Sequence, residues 1–308
     1  MTCADEFEEL RPLLFSIAYR ILGTVSEAED AVQESWLRYA GSPTPVKVPK
    51  AFLSAVVTRI SLDVLKSARV RREEYGEPWF PEPILSDPYQ DPGRSAELAD
   101  SMSMAALILL ERLSPLERAA FVLRDVFGFS YAEIASAVAR SQAACRQLVR
   151  RAREHVAAGR PRFEADKDAR DQLADRFFQA FKSGDVDALQ ALLAADVVVQ
   201  ADGGGKGPQW GSGTVGNANV ARAFIATVLP FLQIGGVLEQ HEVNGQPGIL
   251  FRDPSGQVVG VMTVDILDGQ IHTMRAVSNP DKLKHLGPIG DAWEVRREMN
   301  QARRSPRS

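Results

Sequence analysis

Between residues 114 and 153 the chain carries helix start and stop signals twice in succession and then opens a third helix, which restricts this stretch to a helix-turn-helix. Ser114-Pro115-Leu116-Glu117 supplies a capping hydroxyl, a proline at the first helical position and a glutamate that reaches back to the cap, so a helix is expected from there to Phe127. Gly128 provides the left-handed residue that closes it, and Ser130-Tyr131-Ala132-Glu133 repeats the capping box for a short second helix. Ser141 caps the third. In that helix Cys145, Leu148, Ala152 and Val156 recur every three or four residues as a buried stripe, while Gln142, Arg146, Arg150 and Arg153 fall on the other side.

One exposed face rich in long donors suits a DNA groove. Arginine pairs bidentately with guanine edges or rests on phosphate, and Gln142 and Gln147 match adenine. Every charged residue from Arg140 to Arg153 is an arginine, whereas an ordinary solvated helix face mixes both signs. The net charge of -4 over 308 residues makes the whole chain a poor general binder of polyanions, so a nucleic-acid surface has to be local.

The length allows two or three domains. Residues 1 to 72 read as helical. Phe7, Leu10, Leu14, Ile17 and Ile21 keep helical spacing, Gly23 ends the run, and Ser26-Glu27-Ala28-Glu29 is expected to cap the next helix. After the proline-interrupted stretch from Pro43 to Pro49, a longer helix from Ala51 to Val70 ends in Lys66, Arg69, Arg71 and Arg72. Residues 73 to 101 then change character. Prolines at 78, 81, 83, 88 and 92 oppose regular structure, and acids dominate, so this is a linker. The helix-turn-helix domain occupies 102 to 160.

From 168 to 290 the pattern is that of a separate α+β domain. Helices over 169–181 and 186–193 precede a strand at Val197-Val198-Val199, and a further helix spans 219–232. Strands at 237–243, 249–252, 258–266 and 270–276 follow, joined by Asn244-Gly245, Pro254-Ser255-Gly256 and Asp268-Gly269 turns. Residues 291 to 308, with Arg296, Arg297, Arg303, Arg304 and Arg307, are expected to form a partly disordered basic tail. Two cysteines, Cys3 and Cys145, exclude a disulfide framework or a cysteine-rich metal site and fit a reducing cytoplasm. No leader peptide, membrane span, metal or cofactor is expected.

Asp30-Ala31-Val32-Gln33-Glu34-Ser35-Trp36-Leu37 in the first helical domain, an acidic linker, and Leu113-Ser114-Pro115-Leu116-Glu117-Arg118 before the helix-turn-helix together resemble the extracytoplasmic-function sigma factors of bacterial RNA polymerase. Three further motifs resemble the subgroup with a SnoaL-like C-terminal extension. They are Trp79-Phe80-Pro81-Glu82-Pro83, Asp202-Gly203-Gly204-Gly205-Lys206 and Asn279-Pro280-Asp281-Lys282-Leu283. Two positions depart from the pattern: Phe80 replaces a leucine, and Leu148 stands where many relatives carry arginine.

The resemblance implies a multidomain fold: two all-α sigma domains, the second a helix-turn-helix, and an α+β SnoaL or nuclear-transport-factor-two cone. It implies core RNA polymerase and promoter DNA as partners. Asp30, Gln33, Glu34 and Leu37 would dock on polymerase; Lys50, Arg59, Asp63, Lys66 and Arg69 would serve the minus-ten element; Arg140, Gln142, Arg146, Gln147, Arg150 and Arg153 would read the minus-thirty-five element. Opening of the duplex is then driven by capture of flipped bases, without catalysis. The fused extension would stand in place of a separate anti-sigma factor, with Lys206 and Lys282 paired to linker acids, notably Glu82, and Leu283 packed near Trp79 and Phe80. The glycine loop lacks P-loop spacing and reads as a flexible contact loop.

Two rival readings remain at this level. A cone-shaped domain encloses a pocket that could take a small molecule or act as a cyclase or isomerase, with Asp202, His241, Asp265 and His272 as acid/base candidates. An ordinary helix-turn-helix regulator would usually dimerise across two half-sites, for which no zipper is evident; a monomer is expected.

Overall fold

In the computed structural model the described residues are 2–73, 79–89, 101–157 and 167–304. They fall into two compact units, one comprising Met1–Gly76 with Ser86–Pro161 and the other Glu77–Leu85 with Arg162–Ser308.

The first unit is helical. Helix α1 (Cys3–Leu22) starts in a capping box made by Thr2 and Asp5 and stops at Gly23, whose φ is +76°. Helix α2 (Val25–Ala40) starts earlier than the Ser26 box predicts, with Thr24 at the cap position and its hydroxyl donating to Glu27 over 2.7 Å. Ser26 therefore sits inside the first turn. Helix α3 (Pro49–Glu73) completes a three-helix core in which Leu14, Ile17, Ile21, Val32 and Leu53 are fully excluded from water. Helices α4 (Met104–Leu110), α5 (Pro115–Phe121), α6 (Tyr131–Val138) and α7 (Gln142–Ala157) follow.

Both capping boxes of the helix-turn-helix form, at Ser114/Glu117 and Ser130/Glu133. The predicted helix to Phe127 widens after Phe121 into a π turn over Val122–Val126, with the Phe127 amide donating to the Val122 carbonyl. Cys145, Leu148 and Ala152 are buried in α7 as the periodicity requires, and burial pushes the Cys145 thiol pKa up. Two arginines are buried in this unit as well. Arg20 donates to Ser101 (3.0 Å) and Asp87 (2.9 Å) and lies over the Phe127 ring, while Arg118 donates to the Arg20 carbonyl (2.9 Å) and ion-pairs with Glu111.

The second unit is a five-stranded sheet in the order β1-β5-β4-β3-β2 with helices packed on it. Its elements are α8 (Lys167–Ser183), α9 (Val186–Leu192), β1 (Leu193–Asp202), α10 (Asn217–Gln233), β2 (Val237–Val243), β3 (Gln246–Arg252), β4 (Val258–Leu267), β5 (Gln270–Val277) and α11 (Ala292–Arg304). Strands β2 to β5 form the expected antiparallel meander, and β1 joins β5 in parallel, with Asp202 opposite Val277. The hydrophobic core includes Phe177, Val197, Val264, Ile271 and Met274.

The tail corrects the sequence expectation over 292–304. Ala292, Val295 and Met299 recur at helical spacing, are buried in the same core and hold α11 in place. The arginines occupy its remaining surface, which is why composition alone read this segment as disordered; Arg307 lies outside the described residues. Residues 79 to 85 belong to the second unit, where Phe80 and Ile84 are buried and no helix or strand forms.

Candidate functional site

In the helix-turn-helix, Arg140 just before α7 and Gln142, Arg146, Gln147, Arg150 and Arg153 on it are all exposed. The face is less uniformly cationic than its own sequence implies. Arg153 is held by two bonds to Asp125 (2.6 and 2.9 Å), Arg151 pairs with Glu117 (3.0 Å) and Arg150 with Glu154 (2.9 Å). Of these acids only Glu154 adjoins the 140–153 stretch; Glu117 and Asp125 come from the preceding helical segment. Arg146 stacks over Tyr131 at 5.1 Å, which orients its guanidinium without neutralising it.

On α2, Asp30, Gln33 and Leu37 are exposed, Leu37 to 57%, and Glu34 is half-buried and paired with Arg38. On α3, Lys50, Arg59, Asp63 and Lys66 are exposed, and Lys66 pairs with Asp63 over 2.9 Å. The Arg69 side chain lies outside the described residues. Arg59 donates to the Ser136 and Ala137 carbonyls (2.5 and 3.2 Å) at the end of α6, where a cation complements the helix dipole. The helix expected to face the minus-ten element therefore rests against the helix-turn-helix.

The three pentapeptide motifs meet in the second unit. The Phe80 amide donates to Asp202 (2.8 Å), Lys282 donates to the Phe80 carbonyl (2.5 Å), and Lys282 and Asp202 form an ion pair at 2.6 Å. Both backbone groups of one linker residue are thus satisfied by one buried ion pair. Trp79 covers the Lys282 ammonium, 4.3 Å from the ring centroid. Four residues on, the Ile84 amide donates to the Asn244 side chain (3.1 Å) and the Ile84 carbonyl accepts from the Asn244 amide (2.8 Å). Pro81 and Pro83, which lack amide hydrogens, separate these held positions.

The expected lysine pairings are corrected by these contacts. Lys282 pairs with Asp202, Lys206 with Asp281, and Glu82 lies 3.9 Å from His285. Leu283 is buried, as its proposed packing role requires. The glycine loop is a tight turn. A Cβ on Gly203 would stand 2.2 Å from the Gly207 carbonyl oxygen and one on Gly207 2.1 Å from that of Ser278, so both positions demand glycine for close approach.

His285 adds a pH dependence. Its ring nitrogen lies 2.6 Å from the Pro83 carbonyl, and burial holds the imidazole pKa below its ordinary 6.5 despite that bond. The undocked ring binds a proton first. Linker docking should therefore be fully stable above about pH 6.5 and weaken as pH falls from there towards the lowered value. Hydrogen exchange at Ile84 between pH 7.5 and 5.5, compared with His285→Gln, measures it; a slope that survives the substitution would assign it to another group.

The acid/base candidates do not converge. Asp202 is engaged in the linker clamp, Asp265 ion-pairs with Arg275, His241 neighbours Glu239 at 3.5 Å, and His272 is 3.9 Å from Asp196. No cluster of three potential metal ligands occurs among the described residues. Nor, among them, is any helix long and apolar enough to cross a membrane.

Both helical regions of the first unit match known families. Residues 7–71 match sigma-70 region 2 and residues 104–156 match sigma-70 region 4. The chain is 37% identical over 287 residues to the ECF RNA polymerase sigma factor SigJ of Mycobacterium tuberculosis, covering 90% of this chain and 92% of that protein. It is 30% identical to the probable ECF RNA polymerase sigma factor SigI of the same species, covering 90% and 93%. The crystal structure of M. tuberculosis SigJ superposes with a TM-score of 0.71 at 34% identity, over 91% of this chain and 98% of that one.

Proposed function

Because the chain belongs to the extracytoplasmic-function family of RNA polymerase sigma factors, we propose that it directs core polymerase to promoters under the control of its own C-terminal unit. Regions 2 and 4 are the promoter-binding domains of this family. In the proposed assignment α7 and the preceding Arg140 read the minus-thirty-five element, with Gln142, Arg146 and Gln147 beside Arg140 and with Arg150 and Arg153 on phosphates. Lys50, Arg59, Asp63, Lys66 and Arg69 serve the minus-ten element, and Asp30, Gln33, Glu34 and Leu37 contact polymerase.

The C-terminal unit is proposed to be a SnoaL-like cone that acts as a built-in regulator. The observation that carries this reading is the grip of Asp202 and Lys282 on both backbone groups of Phe80. A linker held in this way has a restricted reach, and a polymerase that needs the linker free competes for it. The Arg59 contact to α6 adds a second obstacle, because the guanidinium has to leave those carbonyls before it meets DNA.

In vitro transcription with purified core polymerase and a cognate promoter tests the assignment. Deletion of everything after about residue 165 should change output strongly, while truncation after the glycine loop and truncation within Asn279–Leu283 should give outputs that differ from each other. Equal transcription from all of them sinks the regulatory reading. Failure of the full chain to bind core polymerase sinks the polymerase contacts as well. Arg146→Ala should cost about 1–3 kcal/mol of promoter binding by the holoenzyme and relax discrimination at one minus-thirty-five position. Uniform weakening on every promoter would mark Arg146 as a phosphate contact instead.

A further inference from the structure

Between the helices and the sheet of the second unit lies an apolar cavity of about 90 Å³. Phe181, Trp210, Phe224, Phe231, Phe251 and Met299 supply much of its wall, and no lining side chain is ionisable. Its one hydroxyl, on Thr227, already donates to the Ala223 carbonyl over 2.8 Å. Water gains little in such a space, because it needs two to four polar partners. An empty space deprives the wall atoms of contacts. Aromatic walls with a thioether among them favour a ring over a flexible chain, and the volume admits a ligand on the order of one ring. The acid/base candidates Asp202, His241, Asp265 and His272 are absent from this wall, so it is equipped to bind and not to move protons.

The cavity wall and the linker clamp are built from the same two stretches of chain. Trp210 and Gly211 lie on the loop that leaves β1 at Asp202, and Ala276 and Val277 run directly into Ser278 and Asn279. The amides of Ser278 and Asn279 both donate to the Asp202 carbonyl (2.9 and 3.2 Å), and the Ser278 hydroxyl donates to Pro208 over 2.6 Å. These bonds tie the cavity wall to the backbone of the residue whose carboxylate holds Phe80. We infer that this cavity binds a small uncharged aromatic molecule, and that its occupancy changes the hold of Asp202 and Lys282 on the linker. The second half rests on the regulatory reading above; the first does not.

The test uses the full chain with toluene and indene as probes and benzoate as a charged counterpart. Toluene or indene should raise the thermal midpoint of the C-terminal unit by roughly 2–4 °C and alter hydrogen exchange at the Phe80 and Ile84 amides, whereas benzoate should do neither. Gly260 lines the cavity, and a Cβ placed there would meet Phe251 at 4.0 Å and the Val277 carbonyl oxygen at 3.4 Å, both ordinary contacts. Gly260→Val should thus fill the space and abolish the response to both hydrocarbons; Ala276→Leu serves if that variant does not fold. Absence of any rise, or a rise that persists in the filled variant, overturns the binding site. A rise with unchanged exchange at Phe80 and Ile84 overturns the coupling. Neither result resembles failure of the regulatory reading, which would appear as transcription indifferent to release of the linker.

Discussion

Lys282→Met is expected to release the linker from the C-terminal unit, speeding hydrogen exchange at the Phe80 amide by two to three orders of magnitude. The lysine is 5% exposed and its partner Asp202 is fully buried, so the substitution leaves a carboxylate without its counter-ion in a medium that solvates it poorly. Breaking a buried pair from one side costs about 3–5 kcal/mol, at roughly 1.4 kcal/mol per tenfold change. The Phe80 carbonyl loses its donor at the same time. The measured loss should level off at the free energy of linker docking, which local opening reaches before the sheet unfolds. Asp202→Asn combined with Lys282→Met should cost less than the two changes added together, since no unpaired charge remains. Additivity would show that the pair is not the source of the effect. If the regulatory proposal holds, transcription by Lys282→Met should move in the same direction as deletion of the C-terminal unit.

Arg20→Met should destabilise the helical unit by about 3 kcal/mol, read as faster exchange throughout α1 and α5. Arg20 is fully buried, and burial lowers its pKa, opposed by Asp87. It reaches Ser101, Asp87 and the Ser16 carbonyl and stacks over Phe127 at 5.3 Å. Its planar fork allows these contacts together. Lysine, with one ammonium, cannot reproduce the set, so Arg20→Lys should recover only part of the loss. Full recovery would mean that charge alone matters at this site. The carbonyl of the same residue accepts from Arg118, so damage should spread to the start of the helix-turn-helix.

Much of the local structure was legible because its signals act over three or four residues. Ser114 with Glu117, and Ser130 with Glu133, close their capping boxes within single turns. Where two caps competed, at Thr24 and Ser26, the pattern misled by two residues. The tail was misread because five arginines masked the stripe of Ala292, Val295 and Met299, whose value depends on a core that the segment itself does not show.

The sequence by itself determined the helix-turn-helix and the succession of helices and strands, since caps, periodicity and turn residues report their conformation locally, whereas the three motifs that meet at the linker stood out only through a family resemblance. Tertiary structure alone decided which charges meet: Lys282 with Asp202 across 80 residues, Arg153 with Asp125 across 28, and Arg20 with Asp87 across 67. Coulomb attraction has no sequence register. An acid and a base find one another only after hydrophobic burial has brought their backbones together, and the same folding step creates the low-dielectric surroundings that make those pairs matter.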